Sequence, residues 1–179
     1  MFWDLTKAKR LYRQTGHHQP LYALAVHSDG SLIFTGDTKG KGMVWDLRTG
    51  KSILPIVGHK DGILGCDFAP NGFMLATSSE DNTVRVWEKK KKSNMVNIPA
   101  HTKLITDVRF DSTGSVIASV SHDATMKIWH GHNFNLLKNY RAHESKISSL
   151  AISRNHIATT TLDRKWTLWD RVSPKPAKI

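Results

Sequence analysis

The sequence predicts an all-β chain in which a unit of four short strands returns about every 42 residues. Three observations carry this. The tryptophans Trp3, Trp45, Trp87, Trp129 and Trp169 stand 42, 42, 42 and 40 residues apart, a period that belongs to a stacked array and not to a single irregular core. Each full interval opens with a small residue and a histidine: Gly16-His17, Gly58-His59, Ala100-His101 and Ala142-His143. No segment carries a sustained helical period of apolar residues. Instead, short apolar or alternating runs such as Leu21 to Val26 are bounded by turn residues, the pattern of strands.

Taken in order, Met1 to Leu5 reads as the end of a strand and Lys9 to Gln14 as another, a partial unit over 1–14. The first full unit, about 16–46, offers strands near Leu21–Val26, Leu32–Thr35 and Met43–Trp45 with a turn at Asp29-Gly30, and a fourth follows near Ile53–Ile56. The second, about 58–88, is the most regular, with strands near Ile63–Phe68, Met74–Ser78, Thr83–Trp87 and Met95–Ile98 and a turn at Asn71-Gly72. The third, about 100–130, repeats this near Ile105–Phe110, Val116–Ser121, Thr125–Trp129 and Leu136–Tyr140. The fourth, about 142–170, has strands near Ile147–Ile152, Ile157–Thr160 and Trp166–Trp169, and its two missing residues fall at Ser153–Asn155 between the first two strands. Residues 171–179 form a basic tail. Strands of this length and spacing predict propeller blades, each burying its faces only against its neighbours.

Composition narrows the function. With 179 residues and 39% apolar side chains the chain can build a shared core, and no apolar run approaches the roughly 18 residues of a membrane-spanning helix. The N-terminus lacks the order of a signal peptide, and one cysteine, Cys66, allows no internal disulfide, so a reducing compartment is expected. A net charge of +11, concentrated partly in Lys89-Lys90-Lys91-Lys92 and the tail, leans toward a polyanionic partner.

The motifs that could carry chemistry do not assemble. His130-Gly131-His132 matches no zinc spacing. Gly50-Lys51-Ser52 resembles the end of a phosphate loop, but Trp45 occupies the place of the earlier glycine and no helix is predicted to follow. Asp81, Asp123 and Asp163 recur once per unit, each with its own histidine and hydroxyl, so they read as scaffold. Cys66 reads as a small packed residue in Leu64 to Phe68. The expectation is a non-enzyme without metal, cofactor, small-molecule substrate or membrane.

The Gly-His openings and the Trp-Asp pair at Trp45-Asp46 resemble the WD-repeat family over nearly the whole chain. The resemblance implies one buried hydrogen-bonded set per blade: His59, Ser79, Asp81 and Trp87; His101, Ser121, Asp123 and Trp129; His143, Thr161, Asp163 and Trp169. In the first unit Lys39 stands where the aspartate is expected and Asp37 where the serine is, so that blade is expected to lack the full set. Family propellers have about seven blades, and the chain is expected to be an open C-terminal part of one, with strand edges exposed at both ends. The resemblance also implies a partner-binding rim on the loops entering each first strand and on the turns between second and third strands. Here that rim carries Lys60, Asp61, Glu80, Asn82, Thr102, Lys103, His122, Glu144, Ser145, Arg164 and Lys165. Lys89, Lys90, Lys91 and Lys92 fall on the opposite side and are read as an RNA-phosphate contact, a solvated turn or a nuclear address.

Within the family the chain looks most like the WD-repeat subunits of the spliceosomal U4/U6 small nuclear ribonucleoprotein. Trp45-Asp46-Leu47-Arg48-Thr49-Gly50, Asp81-Asn82-Thr83 and Ile98-Pro99-Ala100-His101 carry that likeness, with Asp163-Arg164 ahead of Trp166. It implies a nuclear scaffold in pre-mRNA splicing, whose partners are other spliceosomal proteins and, mostly indirectly, the U4/U6 RNA. The alternative is a substrate receptor of a cullin-type ubiquitin ligase, for which Trp45-Asp46-Leu47-Arg48 resembles the adaptor-binding box.

Overall fold

The computed structural model describes residues 2–4, 6–12, 15–88 and 94–171. They form an all-β array of antiparallel sheets. A hairpin, β1 (Phe2–Asp4) with β2 (Lys9–Tyr12), precedes the first full sheet, β3 (Leu21–Val26), β4 (Leu32–Asp37), β5 (Lys41–Asp46) and β6 (Ser52–Val57). The second sheet is β7 (Ile63–Phe68), β8 (Met74–Ser79), β9 (Thr83–Glu88) and β10 (Asn94–Pro99). The third is β11 (Ile105–Phe110), β12 (Val116–Ser121), β13 (Thr125–His130) and β14 (Leu136–Arg141). The fourth has three described strands, β15 (Ile147–Ile152), β16 (His156–Thr161) and β17 (Trp166–Asp170). Within each sheet the strands lie in sequence order, joined by turns.

The sheets are chained through their first strands, with β3 packed on β7, β7 on β11 and β11 on β15. β15 does not return to β3, so the described array is open. Its cores lie between sheets. Phe34, Val44 and Ile56 meet Ile63, Cys66, Leu75 and Trp87; Val84 and Val86 meet Ile105, Phe110, Ile117 and Trp129; Met126 and Ile128 meet Ile147, Leu150, Ile157 and Trp169. Trp87, Trp129 and Trp169 therefore each seal their own sheet to the preceding one, which is why these residues mark the period.

Two glycines decide how closely the sheets approach. A Cβ on Gly65 would lie 2.8 Å from the Cα of Asp107, so glycine here admits the backbone of the third sheet. Gly72, in the turn expected from Asn71-Gly72, has φ +71°, and the buried His27 ring sits over it with Nε2 3.0 Å from its carbonyl oxygen. Gly42 is a matter of volume. The first sheet carries bulky Phe34 where the second and third carry Ala76 and Ala118, and Gly42, diagonal to it on the next strand, leaves its ring the room that Val84 and Met126 fill in those sheets.

Candidate functional site

In the second sheet four side chains form a continuous chain of hydrogen bonds. The Trp87 indole N–H donates to Thr77 Oγ1 (2.8 Å), which lies 2.8 Å from His59 Nε2, while His59 Nδ1 lies 2.9 Å from Asp81 Oδ2. A neutral imidazole with its proton on Nδ1 satisfies every member. The His59 side chain is fully buried, so each bond replaces one that water would otherwise make. Burial alone would raise the Asp81 carboxyl, but bonds from His59, the Thr83 hydroxyl and the Lys60 N–H hold it well below the usual carboxylate range.

The hydroxyl in this set is Thr77, not the expected Ser79. Ser79 instead donates to the Asp61 carbonyl (2.9 Å) and accepts the Asp81 N–H, fastening one loop to the next. The same displacement holds in the third sheet. Ser119 Oγ lies 2.8 Å from His101 Nε2 and receives the Trp129 indole N–H at 2.9 Å, while Ser121 binds the Lys103 and Leu104 carbonyls. His101 Nδ1 lies 3.0 Å from Asp123 Oδ2.

The first sheet, expected to lack the set, has all of it. His17 joins Thr35 (2.9 Å) and Asp37 (2.9 Å), and Trp45 donates to Thr35 (2.7 Å). Asp37, two positions earlier on the turn than Asp81, reaches the imidazole from the strand end and accepts the Lys39 and Lys41 N–H groups with its other oxygen. The incomplete sheet is the fourth. Thr159, not Thr161, joins His143 (2.7 Å) and Trp169 (3.0 Å). Asp163 is taken up by the Thr161 hydroxyl and by Lys165 Nζ at 3.5 Å, and no hydrogen bond joins it to His143. Lys165 stands where Thr83 and Thr125 supply the hydroxyl that braces the carboxylate.

Burial pushes His101 down to about 4, against the opposing pull of Asp123, whose own carboxyl is held at about 2. A histidine lowered on folding contributes stability that is present above its unfolded value near 6.5 and is lost as pH falls toward its folded value. Acidification from pH 7 to about 4 is therefore expected to lower the urea midpoint progressively while the Asp123 contribution stays intact. Removing the histidine with His101→Gln should flatten that slope; an unchanged slope would refute the assignment.

Around the end of the array where these turns lie, a mouth of about 400 Å³ opens onto the centre. Its walls come from two repeating positions. Tyr22, Leu64, Thr106 and Ser148, the second residues of the four inner strands, recur every 42 residues; Thr38, Glu80, His122 and Leu162 stand at the start of the turn after each second strand. Leu104 completes the lining. Of the rim residues expected from the sequence, only Glu80 and His122 line the mouth. Burial, with the positive charges of Lys146 and Lys103, lowers the tendency of His122 to protonate. Lys60, Asp61, Thr102, Glu144, Arg164 and Lys165 lie outside the mouth, and the Lys60 and Thr102 N–H groups are held by Asp81 and Asp123. Ser145 is half-buried. Asn82 and Arg164 occupy the left-handed turn position (φ 67° and 68°), and the Asn82 carbonyl accepts the His101 N–H of the next sheet. The inner-strand wall escaped the sequence reading, although its 42-residue recurrence was a usable signal.

The other sequence motifs have structural settings. Cys66 is buried in the sheet interface, and burial pushes its thiol far up. The His130 and His132 rings lie 5.7 Å apart, and among the described residues no group of three or more potential ligands converges. Ser52 begins a strand, not a helix. Lys89 to Lys92 and residues 172–179 of the tail lie outside the described residues.

Repeating four-stranded sheets, tied loop to turn and arranged around a common mouth, define an open propeller array, a fold whose sites are its surfaces. The WD domain, G-beta repeat, profile matches residues 8–46, 50–88, 92–130 and 134–170. The chain belongs to the WD40 family, whose members generally serve as protein-interaction scaffolds. Each matched segment after the first begins in or just before the outer strand of the preceding sheet, so one sequence repeat spans two sheets and ties them together. No curated protein matches the chain.

Proposed function

We propose that this chain is a non-catalytic scaffold of the spliceosomal U4/U6 small nuclear ribonucleoprotein and its tri-snRNP, acting in the nucleus in pre-mRNA splicing. It works through protein contacts at the mouth and reaches the U4/U6 RNA mostly indirectly. The observation that carries the scaffold reading is the contrast between two sets of repeating positions. The histidine, hydroxyl and tryptophan that tie loop to strand recur in all four repeats, whereas Tyr22, Leu64, Thr106 and Ser148, and Thr38, Glu80, His122 and Leu162, differ in every repeat. A surface differentiated on a repeating frame is what a specific partner requires. The splicing assignment is supported by the resemblance to pre-mRNA-processing factor 4 in the turn Trp45 to Gly50 and the stretch Ile98 to His101.

The ubiquitin-ligase reading keeps one foothold. Within Trp45-Asp46-Leu47-Arg48, Trp45 is buried and the Asp46 carboxylate accepts the Arg48 and Thr49 N–H groups, leaving the exposed Arg48 side chain for an adaptor. The test is a pull-down of the tagged chain from its native cell, with RNA and proteins identified together. Recovery of spliceosomal small nuclear RNAs and tri-snRNP proteins, unchanged in Arg48→Ala and reduced in a Tyr22→Ala/Leu162→Ala variant, is expected. Recovery of a ligase adaptor without RNA, lost in Arg48→Ala, would overturn the splicing reading.

A further inference from the structure

Beneath the mouth lies a second cavity of about 240 Å³ that shares Tyr22, Leu64, Thr106 and Ser148 with it, so the two form one passage. Arg109 lines this lower part with its side chain 39% exposed. Its position is fixed from behind. Arg109 Nε lies 3.2 Å from Asp107 Oδ1, and the almost buried Asp107 is itself anchored, its Oδ2 accepting the Ser149 hydroxyl (2.9 Å) and the Leu150 N–H (3.2 Å). The terminal Nη groups donate to no described residue. A guanidinium held by Nε presents a planar pair of donors that matches a carboxylate or a phosphate.

The charge above it agrees. The positive charges of Lys146 and Lys103 are felt at His122, which lines the mouth, and among the described residues Glu80 is the only acidic side chain lining it. A cation is the poorer occupant of the passage, because Asp107 is engaged as described and Asp67, with its carboxyl raised by burial, accepts the Phe110 N–H. Tyr22 and Leu162, 70% and 59% exposed, offer apolar contact beside the opening.

We propose that the passage receives a segment of a protein partner bearing an acidic side chain, carboxylate or phosphate, on the guanidinium of Arg109, with a neighbouring apolar side chain against Tyr22 and Leu162. This rests on the mouth being the partner site. The probes are four degenerate nine-residue peptide pools with a fixed central Glu, phosphoserine, Ala or Lys and Leu two residues later, each passed over the immobilised full chain. Retention of the Glu or phosphoserine pool should exceed that of the Ala and Lys pools by about tenfold, the yield of one hydrogen-bonded charge. Whichever acidic pool is retained more strongly identifies carboxylate or phosphate as the natural group.

Arg109→Gln should bring the ratio near one with its melting temperature unchanged. Should that variant melt early, Lys146→Ala, altered only at the exposed rim, is expected to lower the ratio a few-fold. Equal retention of all pools, preference for Lys, or an acidic preference that persists in Arg109→Gln and Lys146→Ala would overturn the inference. If the Tyr22→Ala/Leu162→Ala variant still loses its partners in the pull-down while the pools show no acidic preference, only this inference falls. If partners are unaffected as well, the mouth is not the site.

Discussion

Thr77→Val is expected to destabilise the chain by roughly 2–6 kcal/mol, because it leaves two buried polar groups, the Trp87 indole N–H and His59 Nε2, without a partner at about 1–3 kcal/mol each. Valine keeps the shape of threonine, so the loss comes from the missing hydroxyl and not from a cavity. Thr77 and the His59 side chain are both fully buried, and water cannot substitute without opening the interface with the first sheet. Ser79→Ala, by contrast, is expected to cost only about 1 kcal/mol. Its acceptor is the carbonyl of exposed Asp61, which can turn to water. Urea denaturation followed by indole fluorescence separates the two variants. Equal losses, or a larger loss for Ser79→Ala, would show that the hydroxyl has been assigned to the wrong residue.

That distinction marks where the sequence stopped being readable. Strand number, order and spacing follow from period and alternation, and each strand expected from the sequence has a counterpart in the described residues. The hydroxyl did not follow, because Thr77 and Ser79 lie two apart on one strand and point to the same face. Register decides between them. Trp87 pairs with Leu75, so Thr77 is its diagonal neighbour, whereas Ser79 is four residues along, about 13 Å at the rise of a strand and beyond the reach of an indole. Only the cross-strand pairing, a long-range fact, contains that distance. Asp37 was misjudged for the opposite reason: alignment by spacing compares positions, but a carboxylate two positions earlier reaches the same imidazole from the strand end. The mouth was half legible. Its turn residues Glu80 and His122 stand beside recognisable aspartates, while Leu64 and Thr106 sit in strands whose alternation reports burial but not which end faces the centre.

Removing the carboxylate of Asp107 is expected to have the other large effect, and a local one. β15 is the inner strand of the fourth sheet, and its outward N–H groups have no further strand to pair with. Asp107 takes up one of them, that of Leu150, together with the Ser149 hydroxyl, and so joins the third sheet to the fourth at their inner edge. Asp67 does the same one sheet earlier through the Phe110 N–H, from a position that carries Arg109 in the third sheet. The first sheet has Ala23 and Ala25 at the two corresponding positions and so has no carboxylate staple there; a polar link to the second sheet comes instead from His27 on the Gly72 carbonyl. Asp107→Ala leaves the buried Leu150 N–H without an acceptor, a loss of about 1–3 kcal/mol, while the Arg109 guanidinium, 39% exposed, turns to water. In a repeat array stability is a sum of unit and interface contributions, so the loss should fall on the interface that is cut. Amide exchange should accelerate across β15 to β17 while β7 to β9 remain protected. Uniform acceleration throughout would mean that the sheets unfold as one unit and that the staple has no local role. No acceleration anywhere would mean that apolar burial of Ile147, Leu150 and Trp169 alone holds the fourth sheet in place.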